Sequence, residues 1–236
     1  MTGFSTSTSA LRAASQRLGI RSHNLANALT PGFRAQRVEQ GTVTGGGTRV
    51  ATTRSHPREG AFQKTDSTVD LAIQGDGFFR LQTPEGVRLT RTGSFSVDSE
   101  GTVVDAQGAP LTPLVQVPDG TSALAIGGDG KVTALGAGGT EQEVGRIELV
   151  SVANPQGLVQ EGGNRLVPGP STGEMAQGTP GQNGLGTLVS GFLEGSNVDW
   201  IEEHVGLLED ANYFRVNLIS LKIGDEILGA LLDIDR

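Results

Sequence analysis

The sequence predicts an α+β fold, with long helices at both ends of the chain and an antiparallel β-rich domain between them. Near each terminus, apolar residues recur at the spacing of an amphipathic helix. The middle of the chain is rich in glycine and alternates short apolar or β-branched runs with turn residues, which is typical of antiparallel strands. We expect the two terminal helices to pair as a coiled-coil-like stalk.

A seven-residue repeat of apolar side chains marks the first helix: Phe4, Leu11, Leu18 and Leu25. This spacing keeps the four side chains on one face, with a drift of only about 20° per heptad. The residues between them are mostly small or polar, so the apolar face is narrow. Because a narrow face suits contact with partner helices better than it covers a globular core, we assign these four residues to an assembly interface.

The first helix is predicted to stop abruptly within the stretch SHNLANALTPGFRAQR, residues 22–37. Pro31 disfavours helical geometry at Thr30 and has no N–H to donate. Pro31 and Gly32 suit the two central positions of a type II turn. We therefore expect the chain to leave the helix here and to continue on a new heading.

The last segment of the chain, from Asn197 to Asp235, predicts a second long helix. It would be about 58 Å long, whereas a compact protein of this size has a radius of gyration of about 18 Å. Such a helix must protrude or lie along a long partner, and its glycines permit a kink or a close helix approach. The alternative is an ordinary two-helix hairpin within one monomer, which would leave one apolar stripe exposed. The assembly interface assigned on this helix comprises Val198, Ile201, Val205, Leu208, Leu218, Leu221 and Leu228.

Charge is distributed unevenly over the chain, whose formal net charge is −8. Residues 1–60 contain eight arginines and two acidic residues, whereas residues 191–236 contain ten acidic and three basic residues. The two ends are therefore electrostatically complementary. A basic arm for nucleic acid is a weaker interpretation, because the chain is acidic overall and its arginines are not interleaved with lysines or aromatics. An organelle transit peptide is another, and the heptad repeat argues against it.

The residue patterns of common enzymes are missing from the sequence. There is no cysteine, no nucleophile-elbow serine and no zinc-binding histidine pair, and the three histidines, His23, His56 and His204, lie far apart. The glycine-rich stretches lack the spacing of phosphate- or dinucleotide-binding loops, and the two Gly-Asp-Gly stretches fit hairpin turns better than calcium loops. We therefore expect no catalytic site, no metal and no cofactor.

Composition and turn signals divide the chain into four segments: a helix and turn at 1–40, a linker at 41–66, a β-rich domain at 67–190 and the second helix at 191–236. Closely spaced turns in the first half of the β-rich domain indicate an antiparallel meander or small barrel. A second β stretch covers residues 123–152, and residues 161–186 are loop-rich. No apolar run approaches the roughly 18 residues of a membrane span, and the N-terminus lacks the apolar core of a signal peptide.

Five separated motifs resemble the axial proteins of the bacterial flagellum, the rod and hook family. The stretch after Ser22 matches the family's N-terminal signature at Asn24, Leu25, Ala26, Asn27, Thr30, Gly32 and Phe33, with His23 where asparagine is usual. DLAIQGDGFFRLQ and LTRTGSFSVDSEGTVVDAQGAPL resemble the family's shared β-domain. VGRIELVSVANPQGLVQEGGNRL and the C-terminal region, which includes Gly195, Ser196, Asn197 and Val198, resemble the distal rod type most closely. The motifs cover nearly the whole chain in order.

The resemblance implies a structural protein rather than an enzyme. In this family the terminal helices line an inner tubular layer, here 1–40 and 191–236, and the β-domain, here 67–190, packs outside. The implied assembly is a helical homopolymer, a hollow drive shaft that transmits torque and passes export substrates. The implied partners are other copies, other rod and hook axial proteins and the surrounding basal-body ring proteins, with no nucleic acid and no membrane insertion. The implied location is the periplasm-spanning basal body, reached through the flagellar type III export system without a cleaved signal peptide.

Two alternatives remain open at the level of sequence. The segment Gln40–Lys64 is shorter, and the C-terminal tail more apolar, than the distal rod pattern, which leaves a proximal rod or hook-type paralogue. From a different class, a β-domain surface-binding module with a helical oligomerisation stalk also fits the pattern. A hydrolase with an unrecognised site fits it less well.

Overall fold

The computed structural model describes residues 2–42, 48–55, 58–136 and 139–234. Within these ranges, helices α1 (Thr2–Ala26) and α2 (Trp200–Ile234) flank a series of short strands. The strands are β1 Gln36–Thr42, β2 Thr48–Ser55, β3 Phe62–Lys64, β4 Leu71–Gln74, β5 Phe78–Thr83, β6 Gly86–Thr90, β7 Phe95–Val97, β8 Val103–Asp105, β9 Thr121–Ile126, β10 Lys131–Gly136, β11 Glu141–Arg146, β12 Leu149–Val152, β13 Leu158–Gly162, β14 Arg165–Pro168, β15 Met175–Gly178, β16 Thr187–Ser190 and β17 Phe192–Glu194. A short 3-10 turn, Pro155–Gly157, precedes β13.

The described residues form two compact units. Unit 1 comprises residues 2–28, 34–42, 48–55 and 198–234, and it contains α1, α2, β1 and β2. Unit 2 comprises residues 29–33 and 58–197 except for 137–138, and it contains β3 to β17. Strands β2 and β3 lie in the segment 41–66 that the sequence assigns to a linker. The fold is therefore α+β, as predicted, with an antiparallel β-rich unit between two terminal helices.

Helix α1 ends where the sequence predicts. After Ala26 the chain forms a turn in which Phe33 N–H donates to Thr30 C=O at 3.2 Å, with Pro31 and Gly32 between them. Gly32 has φ +68°, the left-handed backbone that the third residue of a type II turn needs and that glycine adopts without a Cβ penalty. The proline therefore both stops the helix and presets the first half of the turn.

Helix α2 is capped at its first turn and then runs without interruption. Asp199 Oδ1 accepts from the backbone N–H groups of Ile201 and Glu202, both at 3.0 Å, which satisfies two of the unpaired donors of the first turn. The helix covers 35 residues, about 52 Å, and its interior glycines do not break it. Neither α2 nor any other described helix contains an apolar stretch long enough to cross a lipid bilayer.

The β-structure of unit 2 is antiparallel but does not follow chain order. Its largest sheet has six strands in the order β13-β14-β6-β5-β12-β15, and a three-stranded sheet has the order β11-β10-β9. Three strand pairs complete the described set: β16 with β4, β17 with β3, and β7 with β8. Strands β14 and β15 lie in the stretch 161–186 that the sequence shows as loop-rich. A simple meander is therefore not the topology, because β12 to β15 return to the edges of the hairpin β5–β6.

Side-chain alternation along β5 separates two apolar clusters in unit 2. Phe79 and Leu81 point into the larger cluster, where Phe79 packs edge-to-face on Phe95 with ring centroids 5.1 Å apart. Phe78 points the other way, into a smaller cluster with Leu89 and Val150. The larger cluster also contains the fully buried side chains of Leu71, Ile73, Leu111, Val115, Ile147 and Leu149. Unit 2 therefore has an apolar core of its own.

Candidate assembly surfaces

Buried ion pairs join α1 to α2 within unit 1. Both oxygens of the Asp210 carboxylate are engaged, with Arg17 Nε 2.5 Å from Oδ1 and Arg21 Nε 2.8 Å from Oδ2. Arg21 Nη1 also lies 3.3 Å from Glu203 Oε2. The two carboxylates are buried, and their positions seven residues apart put them on one face of α2. We call this set of four residues the ionic seam.

Small residues make room for the ionic seam. Ala13 and Ala14 are buried on α1, and Gly206 is buried on α2 between the two acids. A Cβ at Gly206 would lie 2.1 Å from Arg21 Cζ, so this position holds the guanidinium only because it is glycine. The interior glycine that weakens the helix by about 1 kcal/mol therefore has a packing function.

Asn24 connects three elements of unit 1 through a fully buried amide. Its Oδ1 accepts from Gln36 N–H at 2.8 Å, and its Nδ2 donates to Gln36 C=O at 2.8 Å. The same Nδ2 donates to Glu203 Oε1 at 3.0 Å. Asn24 of α1 thereby holds the first residue of β1 and the first turn of α2. Asn27, the next asparagine of the motif, instead donates to His23 C=O at the exposed end of α1.

The assigned interface residues divide by exposure. Leu11, Leu18 and Leu25 of α1 are half-buried, and Phe4 lies outside the part of the chain whose side chains the structure describes. On the C-terminal side, Val198 and Leu221 are half-buried, whereas Ile201, Val205, Leu208, Leu218 and Leu228 are exposed. The pairing of α1 with α2 shown by the structure is ionic, and a coiled-coil contact through the leucine repeat remains a prediction.

Exposed apolar side chains form a stripe along α2 in two parts, separated at Asn212. We call it the α2 stripe; its members are 50–70% exposed and comprise Ile201, Val205, Leu208, Val216, Ile219, Ile223 and Ile227. Their spacing of three or four residues, with one longer step, keeps them on one side of the helix. At about 100° per residue, this side is opposite to Glu203 and Asp210, the acids of the ionic seam. The stripe is about 39 Å long and faces away from α1.

The first turn of α2 carries two further surface features of unit 1. Arg37 Nη1 lies 2.8 Å from Glu202 Oε1, and both side chains are about half exposed. The hydrogen bond to Arg37 lowers the pKa of Glu202 below its ordinary value, and the same bond raises the pKa of Arg37. Trp200 stacks on His204 with ring centroids 5.3 Å apart and ring planes nearly parallel.

The described residues do not assemble a catalytic or metal-binding arrangement. No three histidine, aspartate or glutamate side chains in the described ranges come close enough to hold a metal ion. His23 and His204 lie on exposed surfaces, and His56 is outside the described residues. An open groove in unit 2 is lined by Thr68, Val97, Val117 and residues 121–124, which offer hydroxyl and apolar groups. The interactions that the described residues make are apolar packing and ion pairing.

Sequence reasoning missed the ionic seam as a set of residues. The charge asymmetry of the two chain ends indicated that they attract each other. A further signal of the ionic seam is the spacing of its charges, because each pair of like charges shares one helix face. Arg17 and Arg21 are four residues apart, and Glu203 and Asp210 are seven residues apart. The sequence predicts that the glycines of the second helix permit either a kink or a close helix approach. At Gly206 the structure shows the close approach, because Arg21 of α1 lies against it.

Comparison with known protein families matches three parts of the chain in order. Residues 4–34 match the family described as "Flagella basal body rod protein", and residues 72–134 match "Flagellar hook protein FlgE/F/G D1 domain". Residues 189–234 match "Flagellar basal body rod FlgEFG protein C-terminal". The first match contains nearly all of α1, and the last contains the whole of α2. The middle match contains β5 to β9 and most of β4 and β10.

Individual relatives are similar over almost their full length. The flagellar basal-body rod protein FlgG of Buchnera aphidicola from Schizaphis graminum is 32% identical over 91% of this chain and 92% of its own. FlgG of Bacillus subtilis is 34% identical over 93% of this chain and 94% of its own. The flagellar basal-body rod protein FlgF of Escherichia coli is 33% identical over 93% of this chain and 94% of its own.

Fold, seam and matches together define a structural subunit that associates with its own kind and with other axial components of the flagellum. The chain belongs to the flagellar basal-body rod protein family. It is therefore a structural part of the flagellum and not an enzyme, which confirms the function class that the sequence predicts.

Proposed function

We propose that this chain is a distal rod subunit whose copies polymerise helically through α1 and α2 into a hollow shaft. The shaft transmits torque outward and passes export substrates through its bore. Similarity to FlgG proteins over most of the chain supports the distal type, and the α2 stripe supports polymerisation through the helices.

The α2 stripe is the observation that carries the proposal. Seven apolar side chains that are each at least half exposed on one side of a helix are rare on a soluble monomer, and they mark a protein interface. Because the ionic seam already occupies the other face of α2, the stripe is available to a second copy. The helix of a neighbouring subunit, apolar on one face and of comparable length, is the occupant that fits it.

The arrangement of the two faces supports an open polymer rather than a closed dimer. The ionic seam is already used within the subunit, so a copy that covers the stripe with a surface other than its own stripe leaves its own stripe uncovered. Repeated head-to-tail contacts of this kind build a helical filament. A helical tube with α2 in its wall would bury the stripe of every subunit except those at the end.

A charge on the α2 stripe tests this proposal. Ile219→Asp places a carboxylate at the centre of the stripe and, in an assembled tube, buries it without a partner, at a cost of several kcal/mol per contact. Ser220→Asp is the matched control, because Ser220 is exposed, lies beside the stripe and receives the same charge. We expect cells with only the Ile219→Asp protein to lack complete rods and motility, and the control cells to swim.

Basal bodies imaged from both strains give the readout. Rods of normal length in Ile219→Asp cells would show that the stripe is not an assembly surface. Loss of rods in both strains would show that added charge near α2 is harmful wherever it is placed, which would also contradict the stripe. Circular dichroism of the two purified chains checks that both keep their helices.

The proposed location follows from the proposed assembly. Rod proteins are part of the flagellum, and we infer that this subunit lies in the periplasm-spanning basal body and is exported by the flagellar type III system without a cleaved signal peptide. The surrounding basal-body ring proteins are its proposed neighbours, besides other rod and hook proteins. Fractionation of cells with the export system inactivated tests the route, with retention in the cytoplasm as the expected result.

A proximal rod subunit is the second candidate. The similarity to FlgF of Escherichia coli, close in identity and coverage to the similarity to FlgG, is the observation that favours it. An epitope tag in the exposed turn at Asp119 and Gly120, labelled on isolated basal bodies, distinguishes the two. Label along the rod segment next to the hook supports the distal type, and label near the inner membrane supports the proximal type.

A further inference from the structure

A buried ion pair lies in unit 2 beside its smaller apolar cluster, with Arg91 Cζ 6.0 Å from the centroid of the Phe78 ring. Arg91 Nε is 3.0 Å from Glu194 Oε2, and their side chains are only 3% and 1% exposed. Arginine and glutamate are almost never this buried unless they are paired. The same guanidinium donates from Nη1 to the backbone carbonyls of Gly75 at 2.9 Å and Gly77 at 2.8 Å. Its Nη2 lies 3.4 Å from Glu59 Oε1.

The residues around this pair lie where the chain enters and leaves unit 2. Those stretches are 29–33 and 58–197, so the chain enters or leaves the unit at 29, 33, 58 and 197. Gly32 N–H donates to Glu194 C=O at 2.7 Å, and Gly60 N–H donates to Glu194 Oε1 at 3.3 Å. Glu194 thereby touches two of the entering segments and belongs to the third.

Direct bonds between the three segments close the arrangement. Gly195 N–H donates to Ala61 C=O at 2.8 Å, and Asn197 N–H donates to Phe33 C=O at 3.3 Å. The side-chain amide of Asn197 donates to Arg58 C=O at 2.7 Å. The residue after Arg91 contributes as well, since Thr92 Oγ1 donates to Pro31 C=O at 3.2 Å.

Close backbone approach is built into the same place. A Cβ at Gly60 would lie 1.8 Å from Gly195 C=O oxygen, and a Cβ at Gly32 would lie 2.7 Å from Thr92 N. Both distances are shorter than any real side chain permits, and both obstacles are backbone atoms that have no rotamer to change. The segments therefore meet in one geometry, with the buried ion pair at its centre.

We propose that Arg91 and Glu194 form a clamp that holds the entry and exit segments of unit 2 together, in addition to the packing of the apolar core. Every covalent path by which force enters unit 2 passes through residues that the clamp binds directly or through one neighbour. In a rotating shaft, a load on those paths is resisted by ion pairs and hydrogen bonds in a buried site, where they are stronger than at the surface. The load-bearing part rests on the proposed shaft function, and the clamp itself does not.

Hydrogen exchange on the purified full-length chain tests the clamp. Glu194→Gln keeps the side-chain volume but removes the charge and turns a donor toward Arg91. We expect exchange to accelerate at least ten-fold in segments 29–33, 58–61 and 194–197, with strands β8 and β12 of the core unchanged. Glu143→Gln is the matched control, because it breaks the exposed pair of Lys131 and Glu143 and should alter none of these segments.

Arg91→Lys is the second variant, and it keeps the charge while losing the fork that reaches two carbonyls and two carboxylates. It should show the same pattern with a smaller increase, and it serves if Glu194→Gln does not fold. Unchanged exchange in the three segments would overturn the clamp. Equal acceleration in β8 and β12 would also overturn it, because the pair would then support the core as a whole. Normal swimming of Arg91→Lys cells in viscous medium would overturn the load-bearing role while leaving the rod assignment intact.

Discussion

Arg21 Nε lies 2.8 Å from Asp210 Oδ2, and this bond joins residues 189 positions apart in the chain. Arg17, one helical turn earlier, takes the other oxygen of the same carboxylate. A single acid of α2 thus fixes two residues of α1, which sets the register of the helix pair more narrowly than apolar contacts would. The predictions below follow from this seam and from the residues beside it.

Asp210→Asn should destabilise the helix pair by about 2–4 kcal/mol, because it leaves two partly buried arginines without their shared charge. Thermal unfolding followed by circular dichroism at 222 nm, which reports α1 and α2, is the measurement. Asp225→Asn is the control, since Asp225 is an exposed acid on the same helix. Equal melting curves for the two variants would contradict an energetic role for the seam.

Asn24→Asp should be far more harmful than Asn27→Asp. At position 24 the change removes two donated hydrogen bonds and places a carboxylate against Glu203 and the Gln36 carbonyl in a buried site, at a cost of several kcal/mol. Asn27 donates to one carbonyl at an exposed position, so its change should cost under about 1 kcal/mol. Denaturant titration of both purified variants makes the comparison, and similar losses would show that Asn24 is not a structural link.

Gly206→Ala and Gly229→Ala should change the stability of the helices in opposite directions. Both replace a helical glycine and gain about 1 kcal/mol of helix propensity. At Gly206 the new Cβ displaces the Arg21 guanidinium from its two carboxylates, so we expect a net loss of about 1–2 kcal/mol. At Gly229 the new Cβ meets no described atom within 4 Å apart from its chain neighbours and the nearby backbone of its own helix, so the gain should remain. The melting temperature of the helices, measured for both variants, tests this prediction. A higher melting temperature for Gly206→Ala would show that the close approach of Arg21 to position 206 is not needed.

The Arg37–Glu202 pair should contribute stability that depends on pH in one direction. The pKa of Glu202 is lowered in the folded chain, so the contribution is present above the ordinary value of 4.5 and is lost as pH falls through the lower folded pKa. Because both side chains are about half exposed, it should not exceed about 1 kcal/mol. Wild type and Glu202→Gln should differ at neutral pH and converge in acid; a difference that grows in acid would contradict this pairing.

Local signals carried the parts of the fold that the sequence predicts well. The end of α1 follows from Pro31 and Gly32, whose backbone preferences act within four residues. The long C-terminal helix follows from its apolar spacing, with an observed start at Trp200 rather than Asn197 because Asp199 caps it. The family motifs are also local, and their agreement in order identified the family.

Long-range pairings were beyond the reach of the sequence. The six-stranded sheet joins strands whose neighbours depend on the whole topology, so β14 and β15 looked like loop. Eight arginines near the N-terminus could pair with ten acids near the C-terminus, and only the crossing of the helices selects Arg17 and Arg21. Arg91 directly follows β6 and Glu194 ends β17, and at both positions an exposed side chain would be the default expectation for a charged residue.

Unit 1 is built from chain segments that lie far apart in the sequence, and this governs the order in which the protein folds. Arg17 leaves the ribosome 193 residues before Asp210, so α1 spends most of synthesis without the partner that neutralises it. Residues 58–197 of unit 2, by contrast, form one unbroken stretch and already contain their own core. Closing a loop of this length costs entropy before any contact compensates for it, which makes helix pairing the slow and final event. A newly made chain therefore contains a folded β-domain and two terminal helices that have not yet paired. The rate at which these helices pair sets the time at which the subunit matures.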